Sequence, residues 1–74
     1  MREEDIVPGT KVRWPGAPSF EVHCRYDGHG GFHDIEGTAT IIAVYEGNVY
    51  LLDDATGVMG WRSWHTFVWL EAVK

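Results

Sequence analysis

The chain has 74 residues and a formal net charge of −5. A chain of this length reads as one domain, residues 1–74, which buries only about 60% of its unfolded surface. That excludes a second core and a deep enclosed active site. The acidic balance argues against nucleic acid, whose phosphates call for clustered Lys and Arg; here Arg2, Lys11, Arg13, Arg25, Arg62 and Lys74 are scattered.

From the N-terminus, residues 1–9 form a charged lead-in that ends in the turn Pro8-Gly9. No apolar signal-peptide segment follows Met1-Arg2-Glu3-Glu4-Asp5, and no apolar run approaches the ~20 residues of a membrane span. The single cysteine, Cys24, cannot form an intramolecular disulfide, and small secreted domains usually carry several. The expected compartment is the cytoplasm.

Beyond the lead-in, glycines and prolines alternate with short β-branched and aromatic runs, the pattern of short antiparallel strands. The first expected strand is Thr10 to Trp14. Residues 15–19, with two prolines and a glycine, make a loop. The second strand, Phe20 to Tyr26, alternates cleanly: Phe20, Val22, Cys24 and Tyr26 on one face, Glu21, His23 and Arg25 on the other. Pairing these two strands as a hairpin sets Arg13 against Glu21 and Val12 against Val22. Residues 27–37 read as a glycine-rich loop. The third strand, Thr38 to Tyr45, is apolar on both faces in its second half, which predicts the most buried strand. A tight turn at Gly47-Asn48 would set Tyr45 opposite Tyr50. Val49 to Asp53 is the fourth strand, Asp54-Ala55-Thr56-Gly57 a type I turn closed by a left-handed glycine, Val58 to Trp64 the fifth strand, His65-Thr66 a turn and Phe67 to Ala72 the last strand.

The order of elements resembles the SH3-like small barrel: a strand, a long excursion (residues 15–37, itself able to fold as a hairpin), three strands in tight hairpins, one helical turn and a closing strand. The expected fold is therefore all-β, a small SH3-like barrel of five to six short antiparallel strands, with an OB-like barrel as the alternative. The Ala-Leu-Tyr-Asp-Tyr type segment and the Trp-Trp pair of signalling SH3 domains are absent from this sequence. The SH3-like shape serves many functions and by itself implies none. In peptide-binding SH3 domains, acids of the corresponding loop meet basic ligand residues, so the resemblance assigns that part to Asp27, Asp34 and Glu36, against the plainer reading of solvated loop charges.

Catalytic and metal-binding chemistry finds little support. Cys24, His29 and His33 have zinc-ligand chemistry, but the paired-ligand half of such a motif is missing, and His23 and Cys24 point to opposite faces of one strand. His29 and His33 stand as weak metal candidates, and no cofactor is expected. Gly28-His29-Gly30-Gly31 lacks the Lys-Ser/Thr of a phosphate loop. Ser63 and His65 have no orienting acid in reach of sequence reasoning. The expectation is a protein without enzymatic activity.

The aromatic content is the main functional clue, with Trp 4, Tyr 3 and Phe 3. Each ring buries roughly 150–250 Å², and a small barrel already has Ile41, Ile42, Val44, Leu51, Leu52, Val68 and Leu70 to enclose. At least one of Trp14, Trp61, Trp64 and Trp69 is therefore expected at the surface, Trp64 first, with Tyr45 and Tyr50 as neighbours, anchoring a protein or peptide, a basic one given the charge. Alternatives are a small acidic inhibitor, of the kind viruses encode, that occludes a basic surface; a subunit that self-associates through the aromatic face; and a zinc-binding protein using the loop histidines. The oligomeric state is not legible at this level.

Overall fold

The computed structural model describes residues 1–24 and 31–73. After a 3₁₀ turn at Glu3–Asp5 come β1 (Lys11–Arg13), β2 (Ser19–His23), β3 (Phe32–Glu36), β4 (Ala39–Tyr45), β5 (Asn48–Asp53), β6 (Met59–Ser63), the helical turn α1 (Trp64–Phe67) and β7 (Glu71–Ala72). The seven strands form one antiparallel sheet in the order β3-β2-β6-β5-β4-β1-β7. The fold is thus all-β and compatible with a small barrel, with one strand more than the five to six expected.

The extra strand is β3, which lies inside the segment read as a loop. It pairs with β2 from Ser19↔Glu36 to His23↔Phe32. That makes the excursion a hairpin, and it displaces the expected pairing of β1 with β2. Arg13 does not meet Glu21, nor Val12 Val22: β1 lies between β4 (Val12↔Ala39) and β7 (Val12↔Ala72). The reason is extent of pairing. β1 has only three strand residues, whereas β3 offers β2 five paired positions and sets Ile35 against Phe20 in the interior. Phe20, Val22 and Cys24 are buried and Glu21 and His23 exposed, as the alternation of β2 requires.

The core is built from Val12, Phe20, Val22, Ile35, Ala39, Ile41, Val49, Leu51, Phe67 and Leu70, with Ile6 closing one side. The turn α1 drives Phe67 inward, so residues 67–70 continue a turn and only Glu71–Ala72 close the sheet as a strand. The second half of β4 is not the most buried strand segment: Ile42, Val44 and Tyr45 are exposed, and Leu52 of β5 with them. Apolar residues on both faces here mean two apolar surfaces, one of which is the core.

Two devices hold the layers in register. Gly60 is buried in β6, and a Cβ there would stand 2.3 Å from Val22 Cγ2 and 2.8 Å from the His23 carbonyl. The missing side chain lets β2 close onto β6 at His23↔Trp61. Asp53, 2% exposed, accepts hydrogen bonds from the Ala55 N–H (3.0 Å), the Thr56 hydroxyl (2.9 Å) and His33 Nε2 (2.9 Å). It thereby ties β3 to the turn after β5, where Gly57 takes the expected positive φ.

Candidate functional site: the outer aromatic face

Residues opposed in an antiparallel ladder project to the same side of the sheet. The pairs Phe32↔His23, His23↔Trp61, Trp61↔Tyr50 and Tyr50↔Ala43 therefore form one row across β3, β2, β6, β5 and β4. Val22, Gly60 and Leu51 lie beside this row in the opposite phase and are buried, which puts the row on the outside. Its rings are in contact. His23 and Phe32 have centroids 4.5 Å apart, His23 stacks on Trp61 at 5.7 Å, and Trp61 meets Tyr50 at 6.4 Å. These are the separations at which aromatic pairs attract beyond their area burial.

The row does not stand alone. Leu52↔Met59 forms the next outward pair, Tyr45↔Asn48 lies on the other side, and Ile42 occupies the β-bulge between Ile41 and Ala43. The bulge supplies an additional outward side chain where strict alternation allows one. Phe32 is 60% exposed and Tyr45 63%. The outer face thus carries a row of contacting rings with apolar neighbours across five strands.

Its β3 end is acidic. Glu21 and Asp34 stand directly opposite each other on the outer face, with Glu36 two residues further along β3. Like charges so placed destabilise a strand pair, and none of the salt bridges among the described residues neutralises them. Lys11 bonds Asp54, Arg13 lies near Glu71, Arg2 near Glu4 and His33 meets Asp53. Arg62 donates to the Glu21 carbonyl, not its carboxylate (2.8 Å), and lies 5.3 Å from the centre of the Trp14 ring.

None of three comparisons, with protein-family models, with curated proteins and with solved structures, finds a match.

The residues singled out from the sequence are divided by this geometry. Trp61 and Tyr50 belong to the row, and Tyr45 borders it. Tyr45 does not face Tyr50: it pairs with Asn48, because the tight turn is Glu46-Gly47, and Tyr50 pairs with Ala43. Trp64, the favoured outward tryptophan, is half-buried against the core, and its backbone N–H donates to the Gly47 carbonyl. α1 begins at Trp64 and turns it back onto the core. Trp14 is likewise partly buried against the core. Trp69 is 69% exposed, on a shallow surface with Met1, Pro15 and Val68 rather than on the outer face. Asp34 and Glu36 flank the aromatic row on β3, not in a loop. Asp27 and His29 lie outside the described residues. His33 points inward to Asp53, and among the described residues no group of three or more His, Cys, Asp and Glu is placed to hold a metal ion. No helix among the described residues is long and apolar enough to cross a membrane.

Phe32, His23, Ile42, Leu52 and Met59 escaped sequence reasoning. The signal for Ile42 and Leu52 was present, as apolar residues in the outward phase. Phe32 was hidden by the glycines before it.

Proposed function

We propose that this chain is a non-catalytic protein-interaction domain that binds a protein or peptide through the outer aromatic face. The observation that carries this reading is the contacting row Phe32–His23–Trp61–Tyr50 on the exterior of the sheet. Folding gains nothing from leaving such a surface in water, and aromatic side chains are the preferred anchors of protein interfaces. We further read the fold as an SH3-like barrel. The ladder order β6-β5-β4-β1-β7, with the β2–β3 hairpin inserted after the first strand and a helical turn before the last, supports it.

The acidic end of the face, Glu21, Asp34 and Glu36, favours a basic partner, and an inhibitor that covers a basic surface is a special case of the same reading. The test compares two exposed rings in different places. Phe32→Ala is expected to keep the urea midpoint of the wild type and to lose the proteins captured from a lysate of cells that express the chain. The loss corresponds to about 2 kcal/mol or more of binding, the hot-spot scale. Trp69→Ala is expected to keep both. Capture unchanged by Phe32→Ala and abolished by Trp69→Ala would move the interface to the other surface. Light scattering on the wild type separates partner binding from self-association.

A further inference from the structure

β3 is an end strand of the sheet: it pairs with β2 on one side and with no strand among the described residues on the other. Its backbone polarity follows from two bonds that flank the ladder. The Cys24 N–H donates to the Gly31 carbonyl and the Gly37 N–H to the Pro18 carbonyl. In an antiparallel pair the hydrogen-bonded positions alternate, so Gly31, His33, Ile35 and Gly37 turn their N–H and C=O groups toward β2. Phe32, Asp34 and Glu36 turn theirs toward the open edge. The same three residues carry their side chains on the outer face, Phe32 at the end of the aromatic row and the two acids beside Glu21. Native sheets normally blunt such an edge, charged side chains being one device; here Asp34 and Glu36 carry that charge, and the inward residue His33 is held by Asp53, which ties the strand to the sheet.

Resting on the interaction reading above, we infer that β3 is a strand-addition site for an extended basic segment of a partner protein. The segment pairs antiparallel to Phe32–Glu36, with cations opposite Glu36 and Asp34 and an aromatic residue opposite Phe32. Three observations select this occupant. Open N–H and C=O groups at alternate positions supply main-chain affinity for a strand. The outer-face carboxylates of Asp34, Glu36 and Glu21 lack a salt-bridge partner among the described residues, and cations opposite them turn a like-charge repulsion into attraction. Phe32 extends the ring row to the strand edge, so an aromatic side chain on the added strand continues it. A second copy of this chain fits poorly: antiparallel pairing of two β3 strands centred on Asp34 sets Asp34 against Asp34 across the interface.

The test uses the full chain and the synthetic heptapeptide Thr-Lys-Thr-Lys-Thr-Tyr-Thr, acetylated and amidated at its ends. Its two lysines and tyrosine fall opposite Glu36, Asp34 and Phe32. Bound peptide is expected to slow amide exchange at Phe32, Asp34 and Glu36 by about tenfold or more, as newly hydrogen-bonded edge amides require, and to leave Trp69 unperturbed in the NMR spectrum. N-methylation of the central lysine, whose N–H points at β3, abolishes binding; N-methylation of the threonine next to it, whose N–H points away, does not. Asp34→Lys with Glu36→Lys, at exposed positions where the fold tolerates change, switches preference to the peptide with glutamates in place of lysines. Absence of binding at millimolar peptide, equal effects of the two methylations, or binding without protection of the three amides overturns the inference. If capture still depends on Phe32 when strand addition fails, the aromatic-face reading stands and only the mode of docking falls.

Discussion

At Glu46 the backbone takes a φ of 48°, followed by 77° at Gly47. Two successive positive φ values between the paired residues Tyr45 and Asn48 match the two-residue hairpin turn whose twist suits the flanking strands. Glycine adopts this conformation freely, but a glutamate in it is strained by roughly 1 kcal/mol. Glu46→Asn is therefore expected to stabilise the protein by about 0.5–1 kcal/mol, read as a rise in the urea midpoint at constant slope. A fall would show that Glu46 has a compensating interaction. The turn was expected one residue later, at Gly47-Asn48. A glycine beside an asparagine marks where a turn is, but which of two adjacent positions it fills depends on how the strands on either side align.

Among the elements, β2 and β6 touch over one register pair, and Gly60 is the position that allows it. An added methyl would collide with Val22, a core side chain, and with the His23 carbonyl, so either β2 lifts or β6 bends. Gly60→Ala is expected to cost about 1–3 kcal/mol, the range for overpacking, and to weaken the His23–Trp61 stack that joins the two halves of the aromatic row. Denaturation and the ring-proton shifts of Trp61 report the two effects; an unchanged midpoint would mean that β2 is not seated on β6. β3 shows why an element can go unread. Its strand residues, Phe-His-Asp-Ile-Glu, have Ile35 as the only strongly apolar inward side chain, and a glycine-rich stretch precedes them. The strand exists because Ile35 and Phe20 bury each other and because Asp53 holds His33, a carboxylate twenty residues away that no local pattern announces.

For the molecule as a whole, acid is the condition that should unfold it through identifiable groups. Burial pushes the Asp53 carboxyl up, but the hydrogen bonds from His33, Ala55 and Thr56 to its ionised form outweigh that and hold it below its ordinary value of 3.8. Asp54 behaves alike: burial raises it, and bonds from Thr38 (2.6 Å), Thr40 (2.7 Å) and Lys11 (3.1 Å) outweigh that and hold it below its ordinary value. A carboxyl depressed in the folded state contributes stability that is present above its unfolded value and lost as pH falls through the folded one. Stability from this pair is thus complete above pH 3.8 and declines below it. Asp53→Asn should lower the urea midpoint at neutral pH and make the decline below pH 3.8 shallower. An acid limb identical to that of the wild type would show that other carboxyls govern it.

What the sequence by itself determined is local. The alternation in Phe20 to Cys24 dictated which face of β2 is buried, the apolar runs separated by Gly and Pro dictated short strands, and Asp54-Ala55-Thr56-Gly57 dictated a turn with a left-handed glycine. An excess of rings over the capacity of a small core foretold exposed aromatics. Tertiary structure decided partners and faces. Pairing of β2 with β3 instead of β1, the seating of Trp64 on the core and the outward turn of Ile42 at a bulge all depend on which strand lies alongside. The physical reason is that side-chain periodicity sets a strand's two faces but carries no information about its neighbours. An apolar outer face and a buried one look identical in sequence, and only the packed chain shows which of them the molecule keeps for itself.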